Sequence, residues 1–413
     1  MNDSSHGCSR RGFLKTVAAT GLAGVAASSD ALAGLTLADR NDNVGRGPLP
    51  TRPFGEIGAQ VSILSLGGMV DFRKSRMLLA QALRAGVTCW DTAESYYQGG
   101  SEEGMGAHFQ RHPDDRKKVF LVTKSYERDP EKLSVALAKS LDRLKTTHVD
   151  LYCMHGVDDV SRMMTDDIRR WADNAKKNGT IRFFGFSTHA NMAACLTDAS
   201  RLGWIDGIMF TYNYRLMNNT ELADAVTVCT RAGIGLTAMK TQGRAMWHDP
   251  ALESDAAEAL VERLASRGLT VEQARLMAVW EQKVIAGICS QMPNMTIFQA
   301  NVAAAVRREA LSVAERDLLC RHAAATACSY CAGCRGICET ATGGSVPIGD
   351  ILRSLMYARG YGETEQGKTL YRSLSSVRAN KKLDRDSLRT VEKLCPHRLP
   401  IGRMLREAEH LLG

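Results

Sequence analysis

Between residues 61 and 290 eight short β-rich runs alternate with amphipathic helical runs, and this alternation restricts the fold more than any other feature of the chain. The β-rich runs fall at 61–68, 88–91, 119–124, 149–155, 181–187, 207–212, 234–240 and 284–290. The helical period is carried by 75–85, 102–109, 130–145, 167–177, 191–202, 220–232, 256–266 and 270–282. In the first of these, Leu78, Leu79, Ala82 and Leu83 share one face, as the spacing of an amphipathic helix requires. Strands alternating with helices argue for a parallel sheet covered by helices. Eight units over about 240 residues match a (β/α)8 TIM barrel. The competing doubly wound sheet predicts a G-x-G-x-x-G turn after its first strand, and the sequence has none there. The expected class is therefore α/β, a TIM barrel, with helical runs after residue 325 making a small, mostly helical C-terminal module.

Composition narrows the partners. The formal charge is +8 over 413 residues, with 24% charged and 44% hydrophobic residues. The basic residues are scattered, which argues against nucleic acid or a membrane surface. No stretch reaches the roughly 20 apolar residues of a bilayer span. At the N-terminus, residues 9–15 read S-R-R-G-F-L-K, an Ala- and Gly-rich stretch follows, and Ala31-Leu32-Ala33 precedes Gly34. This order of parts resembles a twin-arginine export signal with a small-residue cleavage site. The resemblance implies delivery of a folded protein to the periplasm. The expected organisation is a signal peptide over 1–33, a linker over 34–51, the barrel over 52–325 and the C-terminal module over 326–413.

In a barrel of this class the chemistry sits at the C-terminal ends of the strands. The second strand ends in D-T-A-E-S-Y, with Asp91 and Tyr96. The third ends in V-T-K-S, with Lys124, and the fourth in D-L-Y-C-M-H, with His155. Reducing a carbonyl requires hydride on carbon and a proton on oxygen. An ordinary phenol has a pKa of about 10, and a neighbouring ammonium lowers it toward working pH. Tyr96 is thus the expected proton donor, with Lys124 acidifying it, Asp91 holding Lys124, and His155 orienting the carbonyl. In this order and these contexts the four residues resemble the catalytic tetrad of the aldo-keto reductases. The likeness extends from about Arg52 to Leu319 and includes Gly99–Glu102 and Gly179–Ser187.

That resemblance implies NADP(H) bound at the barrel mouth. Ser187 matches the serine used on the nicotinamide amide, while Thr188 and Met209 stand where asparagine and glutamine are usual. Ser290 and Asn301 match the adenosine end. Gln291 and Ile297 stand where a lysine and an arginine normally pair with the 2′-phosphate, so NAD(H), or no nicotinamide at all, is as compatible with the residues as NADP(H).

Five of the twelve cysteines cluster near the C-terminus. Cys328, Cys331, Cys334 and Cys338 have the spacing C-x2-C-x2-C-x3-C, and Cys395 is followed by Pro396. This is the ferredoxin run for a [4Fe–4S] cluster. The segment resembles the two-cluster module fused to some aldo-keto-reductase-like proteins. By that module's exchange of fourth ligands, Cys328, Cys331, Cys334 and Cys395 would complete one cluster and leave Cys338 spare. The alternative uses Cys338 and frees Cys395, and zinc or disulfides compete with any cluster. The whole reads as an exported oxidoreductase acting on a small carbonyl-type molecule, with a redox protein as the other expected partner. The second reading is an electron-transfer or binding protein whose barrel only scaffolds the cluster.

Overall fold

A computed structural model describes residues 49–246, 255–307, 309–374 and 383–413. The expected export signal and most of the linker lie outside the described residues. The first elements are short antiparallel strands, β1 (Thr51–Pro53) and β2 (Gln60–Ser62). Eight parallel strands follow: β3 (Leu64–Gly67), β4 (Cys89–Asp91), β5 (Phe120–Ser125), β6 (Val149–Met154), β7 (Ile181–Thr188), β8 (Gly207–Thr211), β9 (Gly235–Met239) and β10 (Gly287–Gln291). They close in the order β10-β3-β4-β5-β6-β7-β8-β9. The expected (β/α)8 barrel is therefore present, with each strand inside or within a few residues of its sequence-based range. One difference is local. The first β-rich run is split, because Gln60–Ser62 turns back to pair with Thr51–Pro53 before Leu64 enters the barrel.

Strands covered on both sides read as continuous apolar runs. Every residue of β5, β6, β8 and β9 is buried. Lys124 in β5 and Asp150 in β6 are the charged exceptions, and Asp150 receives Arg116 Nη2 at 3.0 Å and Arg182 Nη1 at 2.6 Å. The N-terminal end of the barrel is plugged by Phe54, whose ring lies against the starts of β8 and β9. A Cβ at Gly207 or Gly235 would stand 2.7 or 2.4 Å from that ring. The helices are set by local signals. Asp129 caps the helix Pro130–Leu144 by accepting from the amides of Glu131 and Lys132, with proline at the first helical position where no amide partner is lost. Thr270 and Gln273 form a reciprocal capping box on Val271–Trp280.

After the barrel come two helices, Met295–Val306 and Val313–Ala325. Ser312 and Glu315 box the second helix, so the chain restarts there instead of continuing. Beyond it the helices Ile348–Gly360, Thr364–Ser373, Arg385–Leu394 and Ile401–Leu412 surround a second core that includes Ile351, Leu355, Tyr371, Val391, Cys395 and Met404. This C-terminal layer is seated on the barrel's C-terminal end. The Asn191 amide donates to Gly333 O at 2.8 Å, and Met246 N to Ser329 O at 2.8 Å. Asn213 Nδ2 donates to the Tyr330 hydroxyl at 2.9 Å, and Arg335 pairs with Asp158 at 2.8 Å.

Gly333 has φ +78°, and a Cβ there would lie 2.3 Å from His189 O. Gly333→Ala is expected to destabilise the protein by about 1 kcal/mol or more, because it combines a left-handed backbone with a backbone clash. A lower urea midpoint with an unchanged slope checks this; an unchanged midpoint contradicts it.

Candidate active site

The strand ends bring Asp91, Tyr96, Lys124 and His155 to one mouth. Asp91 ends β4 and Lys124 lies in β5, in adjacent strands. Lys124 is 1% and Asp91 2% exposed, and Nζ meets Asp91 Oδ1 at 2.5 Å. The ammonium also donates to Thr92 O at 2.7 Å. Burial raises the Asp91 carboxyl above its ordinary range against the pull of Lys124. Tyr96 opens a tight turn, Tyr96–Gly99, in which Tyr97 and Gln98 take φ of 51° and 57° and Gly99 takes 92°. Left-handed conformers at successive non-glycine residues mark a strained loop held by its surroundings.

Tyr96 differs from expectation in its partner. Lys124 Nζ is 5.2 Å from the Tyr96 ring centroid, and among the described residues no hydrogen bond joins that ammonium to the phenol. Asp91 and Thr92 O take two of its three donors. The phenol pKa is pushed well above its ordinary value, by burial first and by the Asp91 carboxylate next. His155 lies edge-on to Tyr96 at 5.8 Å between ring centroids. Tyr126 stacks on its other face at 4.1 Å and 16°. Burial, then Lys124 and Arg353, hold His155 well below its ordinary pKa, so it is a neutral imidazole. Its Nδ1 is buried without a hydrogen-bond partner, an orphan that a polar substrate atom could satisfy.

Sequence reasoning missed the groups that the C-terminal layer brings to this mouth. Lys240 follows β9 with φ +56°, and its ammonium donates to the Tyr357 hydroxyl at 2.8 Å. Tyr357 and Arg353 lie on the helix Ile348–Gly360. His189, just beyond β7, bonds Thr211 Oγ1 at 3.1 Å and is held well below its ordinary pKa by burial, then Arg353. Lysine at a strand end was the one signal available for Lys240. Nothing in the sequence tied Tyr357 or Arg353 to the barrel.

The expected nicotinamide residues are placed as follows. Ser187 and Met209 are register partners in β7 and β8, beside Thr188. Ser187 Oγ accepts from the Gly156 amide at 3.2 Å, and Thr188 Oγ1 donates to Ala190 O at 2.7 Å. Asn301 Nδ2 donates to Ser290 Oγ at 3.0 Å. Gln291 Nε2 donates to Met69 O at 2.8 Å and to Glu363 Oε1 at 3.0 Å. Ile297 is 39% exposed. These polar groups are thus already satisfied within the protein, and a carboxylate stands at the end of β10.

The chain belongs to the aldo/keto reductase family. The family's sequence profile matches residues 61–282, just over half the chain and nearly the whole barrel. An uncharacterized oxidoreductase of Bacillus subtilis, YrpG, is 26% identical over 277 residues, 61% of this chain and 81% of that protein. The aldo-keto reductase NECHADRAFT_45914 of Fusarium vanettenii is 24% identical over 47% of this chain and 64% of its own length. Among solved structures, aldo-keto reductase AKR11C1 from Bacillus halodurans superposes with a TM-score of 0.55 at 21% identity, covering 66% of this chain and 96% of that one. The thermostable aldo-keto reductase Tm1743 gives 0.54 at 22%, over 66% and 99%. At these identities the likeness is one of fold. As an aldo/keto reductase the protein is an oxidoreductase.

Among the described residues, all cysteines are free thiols. Cys331, Cys334, Cys338 and Cys395 line one small cavity walled by Ile337, Ile348, Leu352 and Leu399. Cys328, in the short turn Ala327–Ser329, is not among its lining residues. The helical turn Arg335–Cys338, with Arg335 gripped by Asp158, Glu339 and Asp350, carries Cys338 inward. Among the described residues, no three His, Cys, Asp or Glu side chains converge closely enough for a single metal ion.

Asp91→Ala leaves the Lys124 ammonium buried without a counter-charge. The expected loss is about 3–5 kcal/mol of stability, measured by urea unfolding. A variant as stable as the parent would mean that the pair does not govern the mouth.

Proposed function

We propose that this aldo/keto reductase is an exported, periplasmic enzyme that reduces a small carbonyl-type substrate. Tyr96 acts as a proton donor and a [4Fe–4S] cluster sits in the C-terminal module. The observation that carries the reading is that the tetrad and the cysteine cavity share one end of the barrel. A second cavity is lined by Cys331 of the module and by His189 and Thr211 of the barrel. Export is supported by Arg10-Arg11 and the Ala31-Leu32-Ala33 site. The domain reading is that residues 52–325 form the barrel and 326–413 the cluster-bearing module.

The chemistry of the cysteine cavity fits a cluster. Four thiols around an apolar void suit soft iron better than hard cations, and burial raises Cys331 and Cys338 to about 12, so each needs a metal's charge to ionise. Cys331, Cys334, Cys338 and Cys395 would hold the group, which supplies one-electron chemistry when bound. The protein's own residues do the rest. His155 orients the carbonyl oxygen through an imidazole nitrogen, Tyr96 delivers the proton, and the Asp91–Lys124 pair keeps a fixed positive charge beside the developing oxyanion.

The family typically uses NADP(H), but the 2′-phosphate does not fit here. Gln291 is held by the Glu363 carboxylate, which repels a phosphate of charge near −2, and no arginine or lysine replaces Ile297. No step is derived through that cofactor. NAD(H), lacking the phosphate, avoids this repulsion.

Anaerobically purified full-length protein is expected to contain about four irons per chain. Cys331→Ser, Cys334→Ser, Cys338→Ser and Cys395→Ser should each lose visible cluster absorbance, and Cys328→Ser should keep it. Iron-free protein would remove the cluster, and loss in Cys328→Ser with retention in Cys338→Ser would restore the exchange-rule ligand set. In fluorescence titrations NADPH is expected to bind about tenfold or more weakly than NADH, with Glu363→Gln narrowing the gap. Tighter NADPH binding would contradict the carboxylate argument.

A further inference from the structure

A phenol in contact with an ammonium, expected at Tyr96 and Lys124, is found elsewhere in the same mouth. Lys240 Nζ lies 2.8 Å from the Tyr357 hydroxyl and 3.9 Å from its ring centroid. The pair is built from both halves of the molecule, since Lys240 follows β9 and Tyr357 belongs to the helix Ile348–Gly360. Its geometry is held from several sides. Lys240 takes φ +56°, and its carbonyl accepts from Asn213 Nδ2 at 3.1 Å and from the Gly243 amide at 2.9 Å. Tyr357 O accepts from Glu363 N at 2.8 Å, and Tyr361 lies 5.0 Å from the same ammonium. Unlike Lys124, Lys240 has no carboxylate partner among the described residues. A non-glycine residue in the left-handed region, spent on an ammonium that meets a phenol, is the kind of local strain found at working sites.

We propose that Tyr357, with Lys240 behind it, is a second proton donor of this active site. Its hydroxyl passes a proton to substrate held between it and Tyr96, and the phenolate left behind rests against the Lys240 ammonium. The O–H bond of Tyr357 breaks, a new bond to hydrogen forms on the substrate, and water at the mouth returns a proton to the phenolate. The inference rests on the reductase reading given above. A carbonyl becomes an alcohol by gaining two electrons and two protons. Hydride brings both electrons and one hydrogen, so one acid suffices. A one-electron donor protein brings electrons alone and leaves both protons to the enzyme. Two phenols at one mouth answer that second requirement.

The charged and titratable groups facing Tyr357 are Lys240, Arg353, Glu363, Tyr361, Tyr96 and Tyr126. Burial raises its pKa, but Lys240 and Arg353 outweigh this and hold it below the ordinary phenol value, against Glu363. Tyr96 is shifted the opposite way. The two donors are thus separated in acidity, with Tyr357 the first to ionise as pH rises.

The test uses anaerobically purified full-length protein, dithionite-reduced methyl viologen as the one-electron donor, and benzaldehyde and methylglyoxal as carbonyl probes. Tyr357→Phe keeps the ring and its packing. Its kcat is expected to fall about 100-fold, with KM within about twofold. Only the protonated phenol donates, so wild-type kcat should fall on the alkaline side as pH rises through the Tyr357 pKa. Lys240→Met should move that limb to higher pH. Ultraviolet titration of the resting protein should show one tyrosinate forming ahead of the others, absent in Tyr357→Phe. An active wild type matched by Tyr357→Phe in rate and pH profile overturns the donor role alone and leaves the pair as a tie between the two layers. A wild type inert toward both probes overturns the reductase reading, and the second donor falls with it.

Discussion

An ammonium at 1% exposure must find its counter-charge in the next strand, and in this protein the arrangement of the mouth follows from that requirement. Lys124 and Asp91 meet at 2.5 Å in adjacent strands, and the lysine is drawn down toward Thr92 O. A buried pair of this kind contributes little net stability but is costly to break. Its value lies in position, because it fixes a positive charge beneath the point where a carbonyl oxygen would gain negative charge. Lys124 meets the ring of Tyr96 at 5.2 Å from its centroid and makes no hydrogen bond to its hydroxyl among the described residues.

The C-terminal layer changes the electrostatics of the same mouth. Arg353 and Lys240 add to Lys124 in holding His155 and His189 neutral. Glu363 does the reverse at the end of β10, where it places a carboxylate against Gln291. An aldo/keto reductase barrel is thereby given an acid-base surface that its own loops do not supply. The seat for this layer is backbone-specific: Gly333 approaches His189 O too closely for any side chain, and Asn191 clamps the segment through both its amide and its Oδ1.

How much could be read beforehand varied with the range of the interaction. Periodicity within one run placed all eight barrel strands, because strands covered by helices read as mostly apolar runs interrupted by a few polar residues. Asp91, Tyr96, Lys124 and His155 were legible because strand ends in a closed barrel share one rim. The partner of Lys124 was read in part: Asp91 was expected and found, whereas the phenol contact was not, since which acceptors an ammonium chooses depends on distances of a few ångströms. The short strand β2 was read as part of β3, because its antiparallel partner Thr51–Pro53 carries no apolar pattern of its own.

The sequence by itself determined the closed parallel barrel, the identity of the four polar groups at its rim and the presence of a cysteine-rich segment, since each is written in local period or spacing. Only the tertiary structure decided which four cysteines share a cavity and which phenol touches an ammonium. Cys338 joins Cys331, Cys334 and Cys395 because a helical turn anchored by Arg335 rotates it inward. Tyr357 meets Lys240, 117 residues away, because a helix from one layer settles over the open end of the other. Such contacts depend on how two packed surfaces fit, and no period along the chain encodes that.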